Sequence, residues 1–411
     1  MTERVEKYHT AIVGGGSAAT GVLVAAEARK PGTVQGFANT KGIAWIADTI
    51  GAGRIADYRI NGNSDPGDFV EGTPQTGVFG RLWTRGSRAQ LLHDASGSVR
   101  LAGDVAPFLA ERASVAKEVV GSASASDVYE GEKATRVNLK RKKRTVTTES
   151  GRKVKAKRVV LATGGKEKEL PDFKERFGEQ YKLSSEIITE SDTALEDITG
   201  ALRAGKKVAF VAASHSTYAA IAKILGELGG NIEQGQIVVI SKKEPLLYFK
   251  NGEEAQQVGY EYTSENVCPK TGKVNRFGGL RNDAKDAALD PRIEFVKVDQ
   301  SVTPDHEAFT GAAYVVSGIG YETNLVTIYN KKGKKIDIQS SDGQVEVDHK
   351  GRVLDTNGKR IKRVYGTGLG YGPRPTRDLG GEPAFSGRLD GVNVQDTISG
   401  KIIAKQIFGK R

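Results

Sequence analysis

The chain has 411 residues, 38% hydrophobic and 27% charged, which is long enough for two or three domains and apolar enough to bury a core. Its net charge of +11 favours anionic partners. A single cysteine, Cys268, excludes an internal disulfide, a two-cysteine redox pair and a multi-cysteine metal or iron–sulfur centre. The five histidines lack metal-ligand spacing, and no apolar run is long enough to span a membrane. We therefore expect a soluble, cytoplasmic α/β protein without metal or membrane partner, its oligomeric state left open.

The first motif is a glycine turn between a predicted strand, 8–13, and a predicted helix, 20–29. It has G-x-G-x-x-A spacing, in which Gly14 permits a tight turn, Gly16 lets a pyrophosphate approach the backbone, and Ala19 lets helix and strand pack closely. The helix N-terminus supplies N–H donors for phosphates. The alternative is a purely structural glycine turn. The residues predicted to bind a dinucleotide here are Gly14, Gly16, Ser17, Ala18 and Ala19.

A second strand is predicted at 33–37, and the residue that ends it should bind the ribose of the dinucleotide. An acidic residue is usual at that position, whereas Ala38 and Asn39 stand there in this sequence. Asn39 is therefore predicted to bond a ribose hydroxyl as a neutral partner.

A strongly basic stretch, 133–158, holds 12 Lys or Arg residues and one acid, Glu149. Its alternating polar and apolar residues and a Ser-Gly turn predict an exposed β-meander with a solvated face. Nucleic-acid binding is the alternative, but no aromatic residues are interleaved as a stacking platform. We therefore predict no nucleic-acid partner.

The meander leads into an apolar strand that ends in Ala162-Thr163-Gly164. Small residues at such a strand end let the chain pass close to a ligand. Near the C-terminus, a short strand runs into the glycine-dense loop 366–372, and Gly368 of that loop is predicted to approach the same ligand.

A second strand–turn–helix unit spans 206–228, with alanines in its turn where glycines are usual. Ser214 and Ser216 of the turn are candidate nucleotide-binding residues. The next strand is followed by Lys242 and Lys243, a basic pair that suits the 2′-phosphate of NADP, although an ordinary surface turn is the alternative. His215 in the turn is read as a packed or capping histidine, with catalysis as the alternative.

Taken in order, these features resemble the two-dinucleotide-binding flavoproteins, and among them the flavin-dependent monooxygenase branch that includes the ornithine and lysine N-hydroxylases. The resemblance covers essentially the whole chain. Besides the turns above, it rests on three short stretches that are similar to motifs of that branch: 183–186, 213–216 and 316–321.

The resemblance implies a doubly wound α/β fold, with a Rossmann-like FAD domain and an inserted Rossmann-like NAD(P) domain. The expected limits are 1–190 and 336–411 for the FAD domain and 191–335 for the insertion. It further implies that FAD binds at the first glycine turn and at Ala162, Thr163 and Gly164, and that NADPH binds at the second turn.

The implied function is an FAD-dependent, NADPH-using monooxygenase that takes O₂ and a small-molecule substrate, such as an amine that it N-hydroxylates. The polar loop 59–65 corresponds to a loop beside the flavin ring, and Asn61, Asn63 and Ser64 are its candidate catalytic residues, with a plain surface loop as the alternative. Two other functions stay open: a flavin-dependent NAD(P)H reductase or dehydrogenase that does not activate oxygen, and a non-catalytic binding or scaffold protein. The alanines at 38, 212 and 213 favour the last.

Overall fold

The computed structural model describes residues 7–189, 192–376 and 380–409, which form two main β-sheets flanked by helices. In chain order, the strands are β1 (Lys7–Val13), β2 (Ile43–Ala47), β3 (Asp127–Glu130), β4 (Ala134–Leu139), β5 (Arg144–Thr148), β6 (Lys153–Leu161), β7 (Gly165–Glu167), β8 (Tyr181–Leu183), β9 (Lys207–Val211), β10 (Ile237–Ser241), β11 (Ile293–Lys297), β12 (Ala312–Ser317), β13 (Tyr321–Thr323), β14 (Thr327–Tyr329), β15 (Ser340–Ser341), β16 (Gln344–Val345), β17 (Arg352–Leu354) and β18 (Arg360–Gly366).

The α-helices are α1 (Ser17–Arg29), α2 (Thr33–Thr40), α3 (Arg88–Asp94), α4 (Ala106–Gly121), α5 (Pro171–Phe177), α6 (Ser184–Ile188), α7 (Asp192–Arg203), α8 (His215–Glu227), α9 (Gly252–Gln257), α10 (Asn282–Leu289), α11 (Val392–Val394) and α12 (Gly400–Phe408). Short 3₁₀ or π turns lie at Gly53–Asp57, Pro66–Phe69, Gly77–Trp83, Leu101–Val105, Gly178–Gln180, Ser264–Asn266, Glu307–Phe309 and Gln395–Ser399.

The first sheet has nine strands, with the central order β14-β4-β5-β6-β1-β2-β3 and β18 paired to β6. The strands β3, β2, β1, β6 and β18 are parallel, and their carboxyl ends therefore meet at one edge. Helices α1 and α4 pack on one face through a large apolar cluster that includes the buried Trp45. This is the doubly wound arrangement in which ligands bind at the carboxyl ends of the strands.

The predicted meander is confirmed, because β4, β5 and β6 are joined by antiparallel ladders. It packs a second apolar cluster against the face of the sheet opposite α1. The basic side chains of the loop between β4 and β5, Lys140, Arg141 and Lys142, are exposed to solvent.

The second sheet has five parallel strands in the order β11-β10-β9-β12-β8. Helix α8 packs against α6 and α10 and shares an apolar cluster with this sheet. The chain therefore contains the two Rossmann-like units that the sequence predicts.

The chain crosses between the units on two adjacent strands, because β7 and β13 form an antiparallel pair. Strand β8 already belongs to the second sheet, and β14 has already returned to the first. Sheet membership therefore puts both crossings earlier than the limits expected at 190 and 335. We propose limits near 167 and 321 instead.

The prediction of a strand at 33–37 is wrong, because Thr33–Thr40 is helix α2. The buried carboxylate of Glu27 accepts hydrogen bonds from Gly32 N at 2.6 Å and Val34 N at 3.1 Å, and thereby satisfies free N–H groups at the start of this helix. The second strand of the sheet is β2, which begins at Ile43.

An ion pair between Arg112 and Asp396 lies in the core of the first unit, and both side chains are fully buried. Arg112 also donates to Thr73 Oγ1 at 3.3 Å. Among the described residues, no helix combines the length and the apolarity needed to cross a bilayer.

Candidate cofactor site

A cavity of about 1010 Å³ opens at the carboxyl ends of the first sheet. Its volume is at the upper end of the usual range for ligand pockets, which suits a long ligand. Its walls come from segments far apart in the sequence: 13–18, 46–49, 52–55, 132–134, 162–166, 322–326 and 390–392, together with Gln395.

The glycine turn forms one wall of this cavity as predicted. Gly14 has φ +112°, and a Cβ there would lie 2.1 Å from the Ala162 carbonyl oxygen, so this position requires glycine. Gly16 is the N-cap of α1, which has no side-chain cap, and its amides are therefore open to a ligand. A Cβ at Gly16 would meet only Gly53 Cα, at 3.8 Å.

Two of the predicted cofactor residues stand behind the turn. Ala19 lies in the first turn of α1, and its side chain is fully buried in the core. Gly368 has φ +82°, and a Cβ there would lie 2.4 Å from the Ala18 Cβ. Neither residue lines the cavity, while Gly14, Gly16, Ser17 and Ala18 do. Ala19 and Gly368 therefore allow close packing rather than direct contact.

The residue that follows the second strand differs from the prediction. Asn39 lies on α2, where its side-chain oxygen accepts from Ser124 N at 3.1 Å, and it does not line the cavity. The residue that follows β2 is Asp48, which is exposed and lines the cavity. The role of Asn39 at the ribose stays a prediction, while an acid, Asp48, does follow the second strand, and its carboxylate is of the type that binds a ribose.

The Ala-Thr-Gly stretch forms the wall next to the glycine turn. Thr163 Oγ1 donates to the Asn324 carbonyl oxygen at 2.6 Å, and Asn324 Nδ2 donates to the Thr163 carbonyl oxygen at 3.1 Å. Gly164 adopts φ +67°, and Asn324 N donates to its carbonyl oxygen at 3.0 Å. Ala162, Thr163 and Gly164 all line the cavity as predicted.

The cavity wall also contains an acid, Asp390, that the sequence does not predict. Burial raises the pKa of Asp390 to about 6. Gln395, five residues further along the chain, accepts a hydrogen bond from Ser17 Oγ at 2.7 Å. This hydrogen bond ties the C-terminal segment to the glycine turn. No local motif marks Asp390, because only the tertiary fold brings 390–395 to the turn.

The second turn is built without glycine but keeps glycine-like geometry, since Ala212 has φ +76°. The Ser214 side chain caps α8 by accepting from Thr217 N at 3.2 Å, and Ser216 hydrogen-bonds with Tyr321. Lys242 and Lys243 follow β10 and are exposed. None of these predicted NADPH residues lines either of the two described cavities.

A second cavity, of about 660 Å³, lies between the two units and is here called the interunit cleft. Its walls come from 56, 58–62, 100 and 102–103 of the first unit and from α8 and 281–284 of the second. Tyr58 lines both the cleft and the cofactor cavity, and its hydroxyl lies 3.2 Å from that of Tyr321.

Two of the four candidate catalytic residues line this cleft, and two do not. Asn61 lines it and donates to Asp283 Oδ2 at 2.6 Å. His215 lines it too, and burial lowers the pKa of this histidine to about 4. Asn63 joins the units instead, because its Oδ1 accepts from Arg281 N at 2.7 Å. Neither Asn63 nor Ser64 lines either cavity.

The two units, the glycine turn and the following acid define the class: the chain has the two-dinucleotide-binding flavoprotein fold, and this fold implies a site for FAD. The residues present fit FAD, since the open α1 amides suit its diphosphate and Asp48 suits its adenosine ribose.

No family model matches the chain. It is 27% identical to CMP-5'-(3-aminopropyl)phosphonate hydroxylase from Streptomyces rubellomurinus, over 98% of this chain and 97% of that protein. Among solved structures, it is similar to a flavin-containing monooxygenase from Stenotrophomonas maltophilia, with 15% identity, a TM-score of 0.60 and 98% of each chain covered. It is also similar to a bacillithiol disulfide reductase from Staphylococcus aureus, with 12% identity, a TM-score of 0.52 and the same coverage.

These likenesses confirm the resemblance and the fold class predicted from the sequence. In sequence the chain is similar to a hydroxylase, and in fold it is similar to a flavin-containing monooxygenase.

Proposed function

We propose that the protein is an FAD-dependent, NADPH-using monooxygenase that N-hydroxylates a small amine. The observation that carries the proposal is that two cavities meet at Tyr58, one at the glycine turn and the other open between the units. The relative whose name includes an aminopropyl phosphonate substrate supports an amine that also carries an anionic group.

When bound, FAD supplies the redox chemistry, taking a hydride from NADPH and passing electrons to O₂. The overall reaction consumes the amine, O₂, NADPH and a proton, and it yields the hydroxylamine, water and NADP⁺. The glycine turn and Asp48 hold the cofactor, and the protein's remaining tasks are to orient the amine and to exclude water.

The interunit cleft is the proposed amine site. Four cationic residues and two acids, Asp283 and Glu227, line it, and the cations Arg100 and Arg281 also form ion pairs with acids outside the lining. The lining therefore offers charged groups of both signs to an amine that also carries an anionic group. The cations are Arg59, Arg100, Lys223 and Arg281. His215 is neutral at pH 7 because burial lowers its pKa to about 4, and it therefore adds no positive charge that would repel an ammonium group.

The proposed NADPH site is the α8 turn with Lys242 and Lys243. Ala212 supports it, since the backbone keeps a left-handed conformation that the turn requires. The test is Lys242→Ala with Lys243→Ala: KM for NADPH should rise about tenfold or more, from the loss of charge-assisted hydrogen bonds, while KM for NADH stays unchanged. An equal effect on both nucleotides would contradict the assignment.

The decisive experiment has two steps. The first identifies any cofactor released when the purified protein is denatured. The second measures NADPH oxidation and product mass with a panel of short-chain amines, with and without phosphonate groups. A product with one added oxygen atom is expected. NADPH turnover to other acceptors without an oxygenated product would favour a reductase, and a protein that neither contains nor is stabilised by FAD would favour the non-catalytic alternative.

A further inference from the structure

Arg54 occupies a position beside the glycine turn that no sequence motif marks. It lies at the start of the 3₁₀ turn Gly53–Asp57, which follows the segment after Asp48. That segment packs directly on the glycine turn: Gly51 N donates to the Gly15 carbonyl oxygen at 2.9 Å, and a Cβ at Gly53 would lie 3.4 Å from Gly16 Cα. Arg54 is therefore adjacent in sequence to a residue that touches the turn.

The Arg54 side chain lines the cofactor cavity and is held by weak contacts only. Its Nη1 donates to the Gly165 carbonyl oxygen at 3.3 Å, and the guanidinium carbon lies 5.8 Å from the centroid of the Tyr321 ring. These contacts orient the guanidinium, and its charge interacts with the Glu167 carboxylate without forming an ion pair. Four of its five N–H donors have no protein acceptor among the described residues.

The other cations that line this cavity are already paired. Lys133 Nζ lies 3.2 Å from Glu149, and Lys166 Nζ lies 2.9 Å from Glu322. Arg54 has no carboxylate within ion-pair distance among the described residues. Among the described residues that line the cavity, it is thus the cation whose charge is available to a ligand.

We propose that Arg54 is a cofactor-positioning residue whose guanidinium binds the anionic diphosphate of the dinucleotide, together with the open N-terminal amides of α1. This inference rests on the proposed function. The diphosphate would then be bound by two positively charged groups: the N-terminal amides of α1, with their partial charge, and the guanidinium of Arg54. An arginine suits this role because its donors match phosphate oxygens two at a time.

The test compares Arg54→Gln, Arg54→Lys and the unmodified protein by titrating the FAD-free forms with FAD and following flavin fluorescence. Arg54→Gln should raise the Kd for FAD about tenfold or more, the scale of one charge-assisted hydrogen bond, and Arg54→Lys should restore part of the loss. The difference should shrink as salt increases. Arg85→Gln, an exposed arginine that lines neither cavity, is the matched control and should bind FAD normally.

The midpoint potential of bound flavin gives a second readout. It should be the same in Arg54→Gln and the unmodified protein, because the diphosphate carries its charge in both redox states. A lowered potential with an unchanged Kd would place the charge at the reduced flavin ring and overturn the assignment. So would a Kd within threefold of the unmodified protein. If the unmodified protein bound no FAD, both this inference and the proposed function would fail, whereas normal binding by Arg54→Gln overturns this inference alone.

Discussion

Two glycines of the same turn should respond to alanine in opposite ways. In Gly16→Ala, the new methyl would have only Gly53 Cα near it, at 3.8 Å, which is an ordinary contact. Folding should therefore cost about 1 kcal/mol at most, the scale of an N-cap preference. The methyl would nevertheless stand where a diphosphate must approach the backbone. We expect the Kd for FAD to rise about tenfold or more, as for the loss of one hydrogen bond to a charged group.

Gly14→Ala should instead damage the fold. Its methyl would lie 2.1 Å from the Ala162 carbonyl oxygen, well inside contact distance, and the backbone would remain at φ +112°. Steric overlap and an unfavourable backbone conformation together should cost about 3 kcal/mol or more. The expected loss is one of stability measured without any cofactor.

The assay is thermal unfolding of the FAD-free proteins, followed by titration of each folded variant with FAD. Gly16→Ala should unfold near the temperature of the unmodified protein and bind FAD weakly, whereas Gly14→Ala should unfold at a clearly lower temperature. Normal FAD binding by Gly16→Ala would refute the assignment of this turn to the diphosphate. Equal destabilisation by both substitutions would refute the reading of the contact geometry.

Asp48→Asn should weaken FAD binding about tenfold, by removing the charged acceptor for a ribose hydroxyl, while Asn39→Ala should leave the Kd unchanged; the reverse result would restore the prediction from the sequence. Arg112→Met should lower the free energy of unfolding by about 3–5 kcal/mol in denaturant titrations, because it leaves a buried carboxylate of Asp396 unpaired, and adding Asp396→Leu should recover much of that loss. For His215, burial lowers the pKa from 6.5 to about 4. The unfolded chain therefore binds more protons between these values, so stability should be full above pH 6.5 and fall towards pH 4. His215→Gln should flatten that part of the pH profile of unfolding, and an unchanged profile would contradict the assignment.

The glycine turn could be predicted because its determinants are local. Residues 8–29 contain all of them: a buried strand, glycines at 14 and 16, and a helix that begins directly after the turn. The Ala-Thr-Gly wall and the meander were predicted on the same grounds, from alternation and a short apolar strand. Each of these features depends on neighbours in the sequence.

Asp48 was not predicted as a candidate residue because the segment before it was predicted to be a strand. The β-branched Thr33 and Val34 favour a strand locally. The helix forms because the carboxylate of Glu27, on the preceding helix, binds the N–H groups of Gly32 and Val34. The second strand therefore begins at Ile43, ten residues after its predicted start at 33. As a result, Asp48 rather than Asn39 lies at the cavity.

The sequence does not predict three other features, for a different reason: Asp390, Arg54 and the interunit cleft. Their positions result from long-range contacts, such as the hydrogen bond from Ser17 to Gln395 across 378 positions of sequence. The loop 59–65 shows the same limit at finer scale. Asn61 and Asn63 are two residues apart, yet one lines the cleft and the other bonds the backbone of the second unit.

The paired crossings also bring the two ends of the second unit close together. Asn324 N already donates to the Gly164 carbonyl oxygen at 3.0 Å, so the chain before the outward crossing touches the chain after the return. A linker of very few residues could join these two positions and close the first unit without displacing either end. The wall of the cofactor cavity built by 162–164 and 324–326 is therefore formed by chain segments on both sides of the insertion, and these segments are hydrogen-bonded to each other.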